Sequence, residues 1–297
     1  LGAAMIGGRL TGCRPSPKPQ GTAAPSASPS PTTGPSPTPS VPVPGGVVNL
    51  AYPAPLGTLN PHTTSNAAQA VGIFVYDRLL NYDYVKGRHE LITAQSIENP
   101  DPLTYIVKIK INPQAKFQCV APPVGRLVTA SDVAFSLQAF AADPHAFNRQ
   151  LFVDFVDRYE TGDPSTLVVK MKRPNAWTMT SAGFGSPGAV VVPRELIERG
   201  LLERTAVGSG AYELEAYEPS SVISFKRRFD GWHFPGRPYL DNVAYHVITD
   251  PAARAAALKD RRIDAVIAGD KFEAEDFRSY GPDMEIDREL TFPAQLL

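Results

Sequence analysis

Tyr105, Val107, Ile109 and Ile111 alternate with Ile106, Lys108 and Lys110, and Pro113 follows. A period of two predicts a strand with one buried face, and the proline ends it. Beyond an irregular stretch the period changes. Val133, Leu137, Phe140 and Ala141 fall on one face of a 3.6-residue helix. Thr129 stands three residues before Asp132, where a hydroxyl satisfies an orphan helix N–H and the acid suits the helix dipole. Comparable patterns predict strands over 47–52, 166–171, 189–192, 222–228 and 244–248. Helices are predicted over 66–80, over 194–199 with Gly200 closing it, and over 252–259. Strands and helices interleave from Val47 onwards, so the fold class is mixed α/β.

The residues ahead of Val47 read differently. Many of the 30 prolines fall in the run 14–46, with Ser, Thr and Ala and no apolar period. Such a run cannot bury enough surface to fold and is expected to be a disordered tether. Fully extended, it would reach on the order of 100 Å. Residues 1–13 are small and mostly apolar and end in Leu10-Thr11-Gly12-Cys13. This matches a bacterial lipobox, in which the cysteine thiol takes a diacylglyceryl group. The expectation is a truncated lipoprotein signal, a lipidated Cys13 and a tether that holds a globular domain off a membrane.

Charge and candidate chemistry narrow the function. The net charge is −1 and no basic stripe is present, so nucleic acid is not an expected partner. Cys13 and Cys119 are the two cysteines, too few for a disulfide framework or a cysteine metal site. His62, His89, His145, His233 and His246 are scattered, with none at metal-ligand spacing. No Gly-x-Ser-x-Gly elbow occurs. Glu273, Glu275, Asp276 and Asp283 read as a solvated helix face and turn, and Cys119 as a half-buried thiol. No catalytic residue, metal or cofactor is expected, and the protein is not expected to be an enzyme. Gly208-Ser209-Gly210-Ala211-Tyr212 is not a phosphate loop, because a strand pattern follows it rather than a helix with Lys-Ser/Thr. Gly183-Phe184-Gly185-Ser186 fits either a flexible turn or a close backbone approach to a ligand.

Several spaced motifs resemble the extracytoplasmic solute-binding proteins of the peptide/nickel class, bacterial family 5. Asp101, Thr104, Tyr105, Val107, Ile109, Lys110, Lys116 and Phe117 match its strand motif, and Thr129, Ala130, Asp132, Val133, Phe135 and Ser136 its helix start. Leu59-Asn60-Pro61, the run Val75 to Leu80, and Gly208 to Tyr212 also fit. So do Phe229-Asp230-Gly231-Trp232, Pro238 to Val243, and Ile263-Asp264-Ala265-Val266. Departures are Ile97 for a usual Trp, Ala211 for a usual Pro, Arg261-Arg262 where a Gly followed by Glu or a similar residue is usual, and a longer loop at Gln118–Val128.

The resemblance implies the N-terminal lobe of a two-lobed, periplasmic-binding-protein-like fold of type II (cluster C), here incomplete. Lobe I is expected over 47–268, with 269–297 beginning a truncated second lobe. It implies a lipid-anchored, monomeric receptor at the outer face of the cytoplasmic membrane or in the periplasm. That receptor captures an oligopeptide or similar small solute and hands it to ABC permease subunits. The family's ligand loop carries over to Pro55, Leu56 and Gly57. Trp232 fits two roles, covering a ligand side chain or packing the core. Alternatives are a metal chelate, sugar or opine as solute, a lobe reused as a sensor or partner-binding module, and a hydrolase whose groups lie elsewhere.

Overall fold

The computed structural model describes residues 43–63, 68–83, 87–109, 114–146 and 148–266. Cys13 and the tether up to residue 42 lie outside the described residues. So do Ile111, Pro113, the acidic residues from Glu273 to Asp283 and the expected start of a second lobe.

The chain enters at an extended segment, 43–46, and is held at once. Gly45 N–H donates to the Tyr239 carbonyl at 2.7 Å, and Asp241 N–H to the Gly46 carbonyl at 2.9 Å. Strand β1 (Val47–Tyr52) follows. It lies in a five-stranded sheet with β8 (Tyr212–Glu218), β9 (Val222–Arg227), β10 (Asn242–Val247) and β11 (Ala265–Val266), in the order β11-β1-β10-β9-β8. β1 pairs parallel with β10 and β11, while β9 runs antiparallel to β10 and β8. Alternation divides the faces. Tyr52, Ile223, Phe225, Val243 and Tyr245 share a core with Val71, Val75, Tyr76 and Val190. Ala51 faces the other way, against Ala257 and Ile263. Ala257 belongs to helix Pro251–Lys259, whose Asp250 cap accepts from Ala253 N–H at 2.7 Å.

A second, antiparallel sheet has the order β4-β5-β7-β6, from β4 (Ala94–Asp101), β5 (Thr104–Ile109), β6 (Val156–Asp163) and β7 (Thr166–Met171). Tyr105, Val107 and Ile109 are buried as the alternation predicts. They share a core with Val133, Leu137 and Phe140 of helix Ala130–Ala142. That helix opens with a full capping box: Asp132 N–H donates to Thr129 Oγ1 at 3.3 Å, and Thr129 N–H to Asp132 Oδ2 at 3.0 Å. Arg126 clamps Asp132 and also Glu195 of helix Arg194–Glu198, with bonds of 2.6–2.7 Å. β2 (Leu80–Asp83) and β3 (Arg88–Leu91) form a separate hairpin pair.

Gly208–Tyr212 passes the end of helix Ile73–Val75, where Gly210 N–H donates to Val75 O at 2.9 Å. A Cβ on Gly208 would lie 2.2 Å from the Val75 carbonyl oxygen, and one on Gly210 2.5 Å from that of Phe74. Gln118 stitches this junction, donating from its N–H to Gly208 O at 2.9 Å and from Nε2 to Tyr212 O at 2.6 Å.

Four expectations are corrected. The helix over 66–80 reduces, among the described residues, to a π-turn at Ala68–Gly72 and helix Ile73–Val75; Tyr76 is extended. Val75 and Tyr76 belong to one core and Leu79 and Leu80 to the other, and an extended segment delivers both pairs where a helix would turn one pair away. Ala189–Val192 is not a ladder strand: Val190 makes an isolated bridge to Arg78, and Val191 N–H donates to Asp77 O at 2.7 Å. Cys119 is exposed, at the start of the turn-rich loop that bridges Lys116 to Leu127. Gly183-Phe184-Gly185-Ser186 is packing: a Cβ on Gly183 would lie 2.1 Å from Thr178 O, and Phe184 is in the core.

Candidate functional site

In open α/β sheets ligands bind beyond the carboxyl ends of the parallel strands. Here β1, β10 and β11 end at the same edge. The loop that leaves β1 there is Pro53–Pro61, and its side chains form a closed frame. Leu56 and Leu59 are each 1% exposed and plug the loop into the core. Leu56 N–H donates to Pro219 O at 3.0 Å, and the Tyr217 hydroxyl to Leu56 O at 2.7 Å. Burial, with the charge of Glu203 adding, pushes the Tyr217 phenol up, which keeps it protonated as donor.

Past Gly57 the frame continues through Glu203. Its carboxylate accepts from the Thr58 hydroxyl and from Asn60 Nδ2, the latter at 3.0 Å. Thr58 Oγ1 in turn accepts Asn60 N–H at 3.0 Å, and Asn60 Oδ1 accepts His62 N–H at 3.0 Å. Asn60 of the Leu-Asn-Pro motif therefore turns the chain by hydrogen bonding its own neighbours. Gly57 lies between these anchors. It is exposed, its N–H and C=O have no partner among the described residues, and a Cβ there would meet nothing within 4 Å. Pro55 is exposed as well.

His62, just past the motif, is buried edge-on to Phe140 with ring centroids 5.4 Å apart. Burial pushes its pKa down to about 4, against weaker upward pulls from the Val190 carbonyl and Asp143. It is a neutral core residue at physiological pH.

Trp232 lies at the opposite end of the sheet. The loop that carries it leads into Asn242, which pairs with Val47 at the start of β1. A strand of this length rises about 20 Å, so Pro55–Gly57 and Trp232 are not brought together. The loop is built on Arg228, whose side chain is buried. Arg228 binds Asp230 through two bonds of 2.7 and 2.9 Å and donates to the carbonyls of Lys116, Phe117, Ser209 and Gly210 at 3.2–3.3 Å. Burial alone would raise the Asp230 carboxyl, but the Arg228 bonds and charge, with Lys116 at 3.5 Å, hold it below the usual range. Trp232 is half-buried, donates Nε1–H to Asp77 at 3.3 Å and packs on Phe234 with centroids 4.5 Å apart. With Arg227, Phe229, Arg237 and Pro238 it lines a cleft of about 420 Å³.

Among the described residues no group of three or more His, Cys, Asp or Glu is placed to hold a metal. No helix among them is long and apolar enough to cross a membrane. Cys13 lies outside them. Sequence reasoning missed Glu203, Tyr217 and Arg228. Glu203 is 145 residues from Thr58, and nothing local marks that pairing.

Residues 90–286 match the family model "Bacterial extracellular solute-binding proteins, family 5 Middle". The glutathione-binding protein GsiB of Escherichia coli O1:K1 / APEC is 26% identical over 204 residues, 68% of this chain and 38% of that protein. Two solved structures superpose well. The periplasmic binding protein DppA of Helicobacter pylori, in complex with the peptide STSA, gives a TM-score of 0.67 at 20% identity over 80% of this chain and 49% of its own. AgaA from A. tumefacien R10, in complex with agropinic acid, gives 0.68 at 25% identity over 80% and 46%. The chain thus spans less than half the length of each of these proteins.

Proposed function

The chain belongs to the bacterial extracellular solute-binding proteins of family 5, and on that premise we propose that it is the receptor of an ABC importer. Proteins of this family are binding components of transport rather than enzymes. The solute in this reading is an oligopeptide or similar small molecule. It rests against Pro55 and Gly57 at the carboxyl ends of β1, β10 and β11, with Leu56 buried beneath them as their support, and a second lobe closes over it. Lipid on Cys13 holds the receptor at the outer face of the membrane, the proline-rich run spaces it away, and a permease receives the solute.

The observation that supports this reading is the loop after β1, with its side chains tied to one another and the Gly57 main chain open. A free main-chain donor and acceptor pair with peptide backbone whatever its side chains. GsiB is named for glutathione, and the Helicobacter protein holds STSA; both ligands are peptides. The agropinic acid complex of AgaA favours a second reading, an opine at the same loop. Trp232 reaches this solute only where the solute extends along the sheet, so its alanine variant measures the extent of the site.

The test uses the full-length protein. Mass spectrometry of solute retained through purification should identify a peptide, and small-angle scattering should show contraction when it is added back. An opine in its place would select the second reading. No retained solute, no binding from a peptide pool and no contraction would overturn the importer role. The anchor is tested separately, by a diacylglyceryl mass on the N-terminal peptide that disappears in Cys13→Ser.

A further inference from the structure

We propose that Glu203, with Thr58 and Tyr217, is a positioning residue for the solute. These side chains hold the loop so that the N–H and C=O of Gly57 face an amide of the ligand. The inference rests on the reading of this loop as the solute contact and adds the residues that preorganise it.

Gly57 lies between two anchors. Tyr217 fixes the carbonyl of Leu56 and Pro219 its N–H. Glu203 fixes Thr58 and Asn60. Leu56 is thus held through its main chain and Thr58 through its side chain, while the Gly57 main chain between them has no partner among the described residues. Glu203 rides on a firm support: Leu202 is buried, and the N–H groups of Arg204 and Thr205 both donate to Leu201 O at 3.0 Å. Its own side chain is exposed, where a polar contact adds little to folding stability. The arrangement thus matters to loop order more than to the stability of the fold. Without it, residues 56–58 must be ordered when solute binds, and that entropy is charged against affinity.

The experiment uses the full-length protein and tetra-alanine, with analogues singly N-methylated at each amide, followed by calorimetry. Wild type should bind tetra-alanine, lose affinity about tenfold for one N-methyl analogue, and protect the Gly57 amide from hydrogen exchange. Glu203→Ala, Thr58→Val and Tyr217→Phe should each bind tetra-alanine more weakly, about tenfold for Glu203→Ala. Their melting temperatures should stay close to wild type, with faster exchange over residues 54–60. Thr58→Ser, which keeps the hydroxyl, should restore wild-type affinity. In Glu203→Ala the N-methyl penalty should shrink, a coupling that a merely structural role would not produce. If wild type binds no tetra-alanine, or binds it without protecting Gly57, this proposal falls together with the peptide reading of the loop. If wild type binds and protects Gly57 while Glu203→Ala and Thr58→Val bind equally well, the positioning role alone is overturned.

Discussion

The two ends of the five-stranded sheet are built on opposite plans. Beyond the carboxyl end of β1, polar side chains satisfy one another and the Gly57 main chain is left open. At the other end the buried guanidinium of Arg228 ties up main-chain carbonyls, while Phe229 is left 77% exposed beside the half-buried Trp232. A surface that reads backbone needs its own side chains as a frame; a surface that reads side chains needs its backbone as one. On that ground the loop end suits a solute recognised by its amides.

The comparison can be broken most severely at Arg228. Arg228→Ala leaves Asp230 and four carbonyls without their buried partner, and should cost about 3–5 kcal/mol in denaturant unfolding. Arg228→Lys keeps charge but not the two-pronged bond to Asp230, and should recover only part of that.

Acid should loosen the loop end next. The His62 pKa is about 4 in the fold against 6.5 in an exposed chain. Above pH 6.5 both states are neutral and nothing is lost. Between 6.5 and 4 the unfolded chain binds the proton and the folded one does not, so stability falls as pH falls, by roughly 3 kcal/mol in all. His62→Phe should flatten that part of the stability profile; an unchanged profile would remove His62 as its source.

Smaller effects sharpen the contrast. Gly57→Leu adds a side chain into open space and should weaken solute binding at least about tenfold, with the melting temperature unmoved. Trp232→Ala should change affinity for a dipeptide or tripeptide less than about twofold, since its loop lies at the opposite end of β1, a strand that rises about 20 Å. A large loss of affinity in Trp232→Ala would instead extend the site along the sheet.

Much of the fold was legible locally. β1 and β7 coincide with their predicted spans, and Thr129–Asp132 forms the predicted helix start. Pro55–Gly57 follow the carboxyl end of β1, beside the ends of its parallel neighbours. The stretch 76–80 has a helical period but is not helix, because its apolar residues serve two cores at once, a demand no single period encodes. The ring of Trp232 suits covering a ligand side chain or packing the core, and the resemblance alone points to Pro55–Gly57; the pairing of Asn242 with Val47 places the two at opposite ends of β1.

The sequence by itself determined the elements with one buried face, their caps and the order of motifs that marks the family. Those signals repeat over two to four residues and are written into neighbouring positions. Only the tertiary structure decided that Glu203 reaches Thr58, that Arg228 gathers carbonyls from two distant segments, and that the Gly57 main chain is left open between its anchors. Each joins residues far apart in the chain, where geometry rather than periodicity selects the partner, and the frame of the proposed solute site consists of such pairings.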